Sequence, residues 1–113
     1  MKRILITALA VAALLVPAAL AGGNSLTVRP DAPTTATGVW FDVSVGGNRD
    51  YIAVEVTCGD AYGTIVNVVL DANGVGTSPT IYPPAGDCVA QLEIRKQQLR
   101  ARVLDTKTFT VLP

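Results

Sequence analysis

The chain has 113 residues, with nine basic and nine acidic side chains and no histidine. This balance gives no electrostatic basis for nucleic acid or an anionic membrane as a general partner. The missing histidine removes the usual base of serine and cysteine nucleophiles, and two cysteines alone do not make a zinc site. We therefore expect no metal site, no cofactor and no enzymatic activity.

The first 21 residues are predicted to be a cleavable signal peptide. Lys2 and Arg3 precede an apolar run that extends to residue 20. Pro17 interrupts the run, and the small residues of "ALA" end it at Ala21, as signal peptidase requires. We expect cleavage after Ala21. An uncleaved anchor helix is the alternative, because the run is only slightly shorter than the roughly 20 residues of a membrane span.

Export of this kind leaves residues 22–113 as one small domain. Gly23 stands where a lipoprotein signal carries its acceptor cysteine, so a lipid anchor is excluded. Loss of the two basic residues near the start leaves seven basic against nine acidic side chains, a net charge of −2. The sequence predicts a secreted or extracytoplasmic protein, in the periplasm or at the cell surface, without membrane insertion after cleavage.

The exported part is predicted to be all β. No segment keeps a helical period over three turns, whereas alternating or β-branched runs recur between turn-rich segments. The predicted strands are Ser25–Arg29, 39–45, 51–58, 63–70, 79–82, 88–95 and 100–112. Between the fourth and fifth strands, "DANGVG" at 71–76 resembles the start of a calcium loop, but a valine at the third ligand position favours a tight hairpin turn. Seven strands are typical of a small immunoglobulin-type sandwich.

Cys58 and Cys88 are expected to form one disulfide, because an exported chain enters an oxidising compartment. If the two cysteines face each other on antiparallel strands, the numbers of paired residues sum to 146. Every inward pair is then apolar, and a slip by one residue would expose one of the two apolar sets. These inward pairs are Val56 with Ala90, Val54 with Leu92, and Ile52 with Ile94.

The same register predicts which side chains lie on the outer face of this sheet. The outward pairs are Thr57 with Val89, Glu55 with Gln91, Ala53 with Glu93, and Tyr51 with Arg95. Glu55 and Glu93 would lie diagonally at a spacing that glycoside hydrolysis tolerates. A flat face open to solvent lacks a cleft, however, so we interpret both carboxylates as solubilising surface groups.

The pattern resembles the immunoglobulin-like domains of secreted bacterial and phage-encoded proteins. The segments that carry this resemblance are "VWFDVSV", "YIAVEVTCG", "DANGVGTSPTIY", "AGDCVAQLEI" and "FTVLP", with a cysteine ending the third strand and another opening the sixth. The strand order is also similar to a fibronectin type III module. That second resemblance implies that Trp40 on the second strand packs into the core.

The candidate binding residues lie in loops. The segment "RKQQLRAR", residues 95–102, places four cations, Arg95, Lys96, Arg100 and Arg102, at the hairpin joining the last two strands. It could bind an anionic wall polymer, lipid head group or acidic protein, or it could be a solvated hairpin whose charges discourage edge pairing. Tyr62 and Tyr82 are further candidates, as exposed aromatic side chains or as half-buried caps.

The leading hypothesis is a non-catalytic exported module for binding, adhesion or structural support at or outside the cell surface. Its partner would be an unknown protein or surface polymer. The alternative is a secreted small-ligand carrier or enzyme inhibitor, because the chromoprotein antibiotic carriers combine a signal, a short chain and a D-x-N-G turn. A deep apolar cleft between the sheets would favour the carrier.

Overall fold

A computed structural model describes residues 23–47, 51–97 and 99–113. The predicted signal peptide, residues 1–21, lies outside these ranges. Within them, no helix is long and apolar enough to cross a membrane. The described residues form seven strands, which are β1 (Ser25–Arg29), β2 (Trp40–Ser44), β3 (Ile52–Cys58), β4 (Tyr62–Val68), β5 (Val75–Thr77), β6 (Gly86–Lys96) and β7 (Leu99–Val111).

The strands form two sheets with one core between them, so the predicted all-β class is confirmed. A three-stranded sheet has the order β1-β2-β5, and a four-stranded sheet has the order β4-β3-β6-β7. All the pairs are antiparallel. Phe41 and Leu26 of the smaller sheet and Val54 and Leu92 of the larger one belong to a single buried cluster. Strand alternation brings these apolar sets together, since every second side chain points to the same face.

The predicted register of β3 and β6 is confirmed. Ile52 lies opposite Ile94, Val54 opposite Leu92, and Cys58 opposite Cys88. The two cysteines form a disulfide with a Cα–Cα distance of 4.2 Å. The bridge therefore joins neighbouring strands within one sheet and lies on the core side.

The core position that the fibronectin resemblance implied for Trp40 is wrong by one residue. Phe41 is buried, whereas Trp40 points to the other face of β2 and is only half-buried. The ring of Phe41 packs edge-on against Phe109 of β7, with ring centroids 6.0 Å apart. Because side chains alternate along a strand, only one of these two adjacent aromatic residues can enter the core.

The fifth strand was predicted at 79–82, but β5 is Val75–Thr77. Ile81 makes only an isolated bridge to Val39, with two backbone hydrogen bonds of 2.8 Å. Pro79 has no N–H to donate, so a regular ladder does not continue through it. The buried Ser78 side chain instead accepts a hydrogen bond of 2.9 Å from the backbone N–H of Phe41.

The turn predicted at 71–76 is tight, but it is not a hairpin. The Asp71 side chain accepts hydrogen bonds from the backbone of Asn73 at 2.8 Å and of Val75 at 3.0 Å. This turn carries the chain from β4 in one sheet to β5 in the other. Gly76 is required where the two segments meet, since a Cβ there would lie 2.4 Å from the backbone oxygen of Val69.

Candidate functional site

The candidate binding residues fall into two groups at opposite ends of the sandwich. Arg95 lies next to the paired Ile52 and Ile94, where β3 begins and the hairpin between β6 and β7 extends beyond it. We call this end, with the hairpin and the link of residues 69–74, the hairpin end. Tyr62 pairs with Cys58 at the other end of β3. The structure therefore does not combine the cations and the tyrosines into one site.

Neither tyrosine has surroundings that indicate a binding site. Tyr62 is half-buried against the core cluster. Tyr82 is 64% exposed, and it lies close to Gly38, where a Cβ would be 2.8 Å from the ring. Tyr62 thus resembles the half-buried cap that the sequence allowed, whereas Tyr82 is an exposed aromatic side chain at the far end.

The four cations of the hairpin also divide into two pairs, and the cause is the pairing of β7. The register between β6 and β7 shifts twice, between Leu92 and Glu93 and between Ile94 and Arg95. Such shifts re-aim side chains. After the second shift, Arg100 pairs with Arg95, and its guanidinium reaches across the outer face of the four-stranded sheet.

Arg95 and Arg100 bind the same buried carboxylate. The Nε of Arg100 donates to Oε1 of Glu93 at 3.1 Å, and Nη1 of Arg95 donates to Oε2 of Glu93. Arg100 also donates through Nη2 to Glu55 at 3.0 Å and to Gln91 at 3.4 Å. The hydrogen bond to Glu55 is the main cause that raises the pKa of Arg100 above its ordinary value. These five side chains, which we call the Glu93 cluster, contain two carboxylates and two guanidiniums.

The interpretation of Glu93 as a solubilising surface group is wrong. Its side chain is 0% exposed, although it lies on the outward face of its sheet. Glu55, its predicted diagonal neighbour, remains partly exposed. Burial of a carboxylate is tolerated when charged hydrogen-bond donors surround it, and here two guanidiniums do so. The cations close to Glu93 in the sequence are the signal that could have indicated its burial. Whether the Arg100 side chain reaches Glu93, however, depends on the register shift between β6 and β7.

Lys96 and Arg102 remain available for a partner. None of the ion pairs formed within the described ranges involves either residue, and both are exposed. Leu99, which pairs with Lys96 in the hairpin, is 71% exposed. A shallow depression of about 480 Å³ lies beside Lys96 and is lined by Tyr51, Arg95, Lys96 and Gln97. The hairpin therefore presents two cations and an apolar side chain, and the ring of Tyr51 lies beside Lys96.

The outer surfaces, rather than the interior, provide the space for a ligand. Val39, Phe41, Val54, Val56 and Leu92 fill the region between the sheets, and each has no exposed area. A second open cleft of about 550 Å³ lies at the hairpin end, between residues 45–47 and 70–74. Over the part of the chain that the structure covers, no group of three histidine, cysteine or acidic residues could hold a metal ion.

Comparison of the chain with protein-family models, with curated proteins and with solved structures finds no match.

Proposed function

We propose that this chain is an exported, non-catalytic immunoglobulin-like module that binds an anionic partner at the cell surface through its hairpin end. The observation that carries the proposal is that two of the four cations form ion pairs with the sheet, whereas the other two are exposed and not ion-paired within the described residues. Arg95 and Arg100 hold the hairpin against the sheet through Glu93, so that Lys96 and Arg102 are displayed from a fixed base. A preorganised loop loses less entropy on binding than a free one.

Two observations support the other parts of the proposal. A disulfide favours an oxidising, extracytoplasmic destination, as the predicted signal peptide does. If that signal is cleaved as predicted, mass spectrometry of the exported chain should give the mass of a chain that begins at Gly22. The strand orders β1-β2-β5 and β4-β3-β6-β7 are consistent with an immunoglobulin-like or fibronectin-like sandwich.

The structure gives less support to a carrier or to an enzyme. A carrier on this fold would need space between the sheets, and that region is filled by fully buried side chains. Acid and base catalysis without histidine would fall to carboxylates, lysine or tyrosine. The carboxylate pair that the sequence suggested, Glu55 and Glu93, is already bound to Arg100.

The proposal is tested by binding of the labelled exported chain to envelopes isolated from the cells that produce it. The variant Lys96→Gln with Arg102→Gln should bind about tenfold more weakly and lose most of the salt dependence, because it removes two exposed charges. The variant Tyr82→Ser, changed at the opposite end, is the control and should bind like the native chain. Equal loss in both variants, or loss only in Tyr82→Ser, would exclude the hairpin end as the site.

A further inference from the structure

In the part of the chain that the structure describes, three of the four strands at the edges of the two sheets are protected against pairing with another chain. The edge of β1 is capped by side chains of β7, because Leu26 N–H donates to Asp105 at 3.0 Å and Lys107 donates to Leu26 O at 3.0 Å. β5 has only three residues. β7 carries two register shifts, and Leu112, directly after its last residue, exchanges backbone hydrogen bonds with Pro33 and Thr35. Capping charges, short length and bulges are common ways of blocking an edge.

β4 is the exception. Its sequence from Tyr62 to Val68, "YGTIVNV", contains no charge, no proline and no register shift against β3. It is the end strand of its sheet, and among the described residues no backbone hydrogen bond reaches its outer edge. Ile65, in the middle of the strand, is 45% exposed. Uncharged edge strands of this length are templates for pairing with a further strand.

The disulfide identifies the backbone groups that point outward from this edge. A Cα–Cα distance of 4.2 Å is typical of a pair that does not exchange backbone hydrogen bonds, so Cys58 directs its N–H and C=O toward β4 instead. Tyr62, the partner of Cys58 on β4, therefore bonds inward, and so does every second residue after it. Gly63, Ile65 and Asn67 then direct their N–H and C=O groups away from the sheet.

We propose that β4 is the pairing edge of a homodimer, in which two copies of β4 run antiparallel about a two-fold axis at Ile65. In this register Ile65 lies opposite its own copy, and Gly63 lies opposite Asn67 of the second chain. All three outward-directed residues then take part in hydrogen-bonded pairs, with about six backbone hydrogen bonds across the axis. The two four-stranded sheets become one sheet of eight strands.

A second copy fits this edge better than a different protein for two reasons. The outward-directed backbone groups are evenly spaced about Ile65, so a two-fold rotation brings donors opposite acceptors and the edge can pair with itself. The strand has no charge that would repel its copy or select a charged partner. The side chain of Ile65, now partly exposed, would be covered by the same side chain of the second chain. A contact of one strand is small, so we expect a weak dimer with a Kd on the order of 10–100 μM.

The test is sedimentation equilibrium of the disulfide-bonded chain as cells export it, from about ten times below to ten times above that Kd. The native chain should convert from monomer to dimer across this range. Ile65→Lys and Ile65→Glu should each weaken the dimer at least about tenfold, because like charges then face each other at the axis. An equimolar mixture of the two variants should dimerise again, since opposite charges meet. Thermal unfolding of each variant checks that the monomer is folded.

Val89→Lys is the matched control, because Val89 is 38% exposed on the same face of the sheet but lies on β6, away from the edge. It should leave dimerisation unchanged. The proposal is overturned if the native chain stays monomeric throughout, if Val89→Lys disrupts the dimer as strongly as Ile65→Lys, or if the mixture of charged variants stays monomeric. A complex in which β4 pairs only with a strand of another protein would also overturn it. The proposal is independent of the hairpin end, so Lys96→Gln with Arg102→Gln should still dimerise.

Discussion

Glu93 is the residue with the greatest consequence for the candidate site. A carboxylate without solvent contact costs several kcal/mol unless its hydrogen-bonding capacity is filled. Here both oxygens are occupied, Oε1 by Arg100 and Oε2 by Arg95. The two arginine side chains are thereby fixed over the sheet, and the base of the hairpin is fixed with them.

This arrangement predicts different effects for two neighbouring glutamates. Glu93→Gln should lower the free energy of unfolding by about 1–3 kcal/mol, because a buried charged acceptor of two guanidiniums is lost. Glu55→Gln should change it by about 0.5 kcal/mol or less, since Glu55 is partly exposed and its ion pair is screened by water. Urea unfolding of both variants provides the measurement. Equal effects would mean that the burial of Glu93 contributes nothing to stability.

Asp42 is expected to make the stability of the smaller sheet depend on pH. The hydroxyl of Thr77 donates to Asp42 at 2.8 Å and Nε of Arg29 donates at 3.0 Å, so one carboxylate joins all three strands. Both interactions, that with Thr77 first, lower the pKa of Asp42 below 3.8, although its partial burial opposes them. A lowered pKa in the folded state stabilises the protein above the pKa of the unfolded state, and this contribution is lost as the pH falls.

Asp42→Asn should therefore reduce the loss of stability between neutral pH and pH values below 3.8. Asp31→Asn is the control, because Asp31 is almost fully exposed and lies 3.9 Å from Arg29. It should leave the dependence on pH close to that of the native chain. Melting temperatures measured across this range report the difference, and identical profiles for the native chain and Asp42→Asn would contradict the role of Asp42.

At the scale of elements, the link from β4 to β5 decides how the two sheets are joined. The chain crosses between the sheets within a few residues, and β5 passes directly beside the end of β4. At Gly76 a Cβ would lie 2.4 Å from Val69 O and 2.9 Å from the side chain of Val68. Backbone atoms at such a short distance would have to move, and Val69 has little room to do so because it directly follows β4, which is paired with β3.

Two strand glycines therefore make a matched pair. Gly76→Ala should destabilise the fold by about 2 kcal/mol or more, since the added methyl group collides with the backbone of Val69. Gly63→Ala on β4 should cost less than about 1 kcal/mol, because its nearest contact would be an ordinary 3.9 Å from Val56 O. Chemical denaturation of the two variants gives the comparison. If Gly76→Ala is as stable as Gly63→Ala, the close crossing is not required.

The elements also show what the sequence could and could not predict. The register of β3 and β6 was predictable because two cysteines and a period of two residues leave one pairing in which all inward residues are apolar. The other segments, apart from the fifth, correspond to strands within two residues of the predicted limits. The fifth predicted segment does not correspond to a strand. β5 is Val75–Thr77 instead, and it pairs with β2, which is distant in sequence, so no local pattern indicates it.

The candidate site was less predictable, for a related reason. The cations of 95–102 were visible in the sequence, but which of them are free depends on the register shift between Ile94 and Arg95. That shift is a property of two paired strands and has no signal in either strand alone. The open edge of β4 could be recognised only after every other edge had been located.

At the scale of the whole molecule, the disulfide joins two strands of one sheet but closes a loop that passes through both sheets. The loop that it closes contains β4 and β5, and β5 belongs to the opposite sheet. The bridge therefore restricts the crossing segment in the unfolded chain as well as holding β3 to β6. A small domain depends on such a restriction, because its core alone supplies only a few kcal/mol of net stability.

The double variant Cys58→Ala with Cys88→Ala should lower the free energy of unfolding by about 3–4 kcal/mol, the entropy expected for a loop whose ends are 30 residues apart. Urea unfolding should show a lower midpoint and a steeper dependence on denaturant, since an unfolded chain without the bridge exposes more surface. Reduction of the native chain is the control and should give the same midpoint as the double variant. A double variant as stable as the native chain would show that register and packing, rather than the bridge, hold β3 and β6 together.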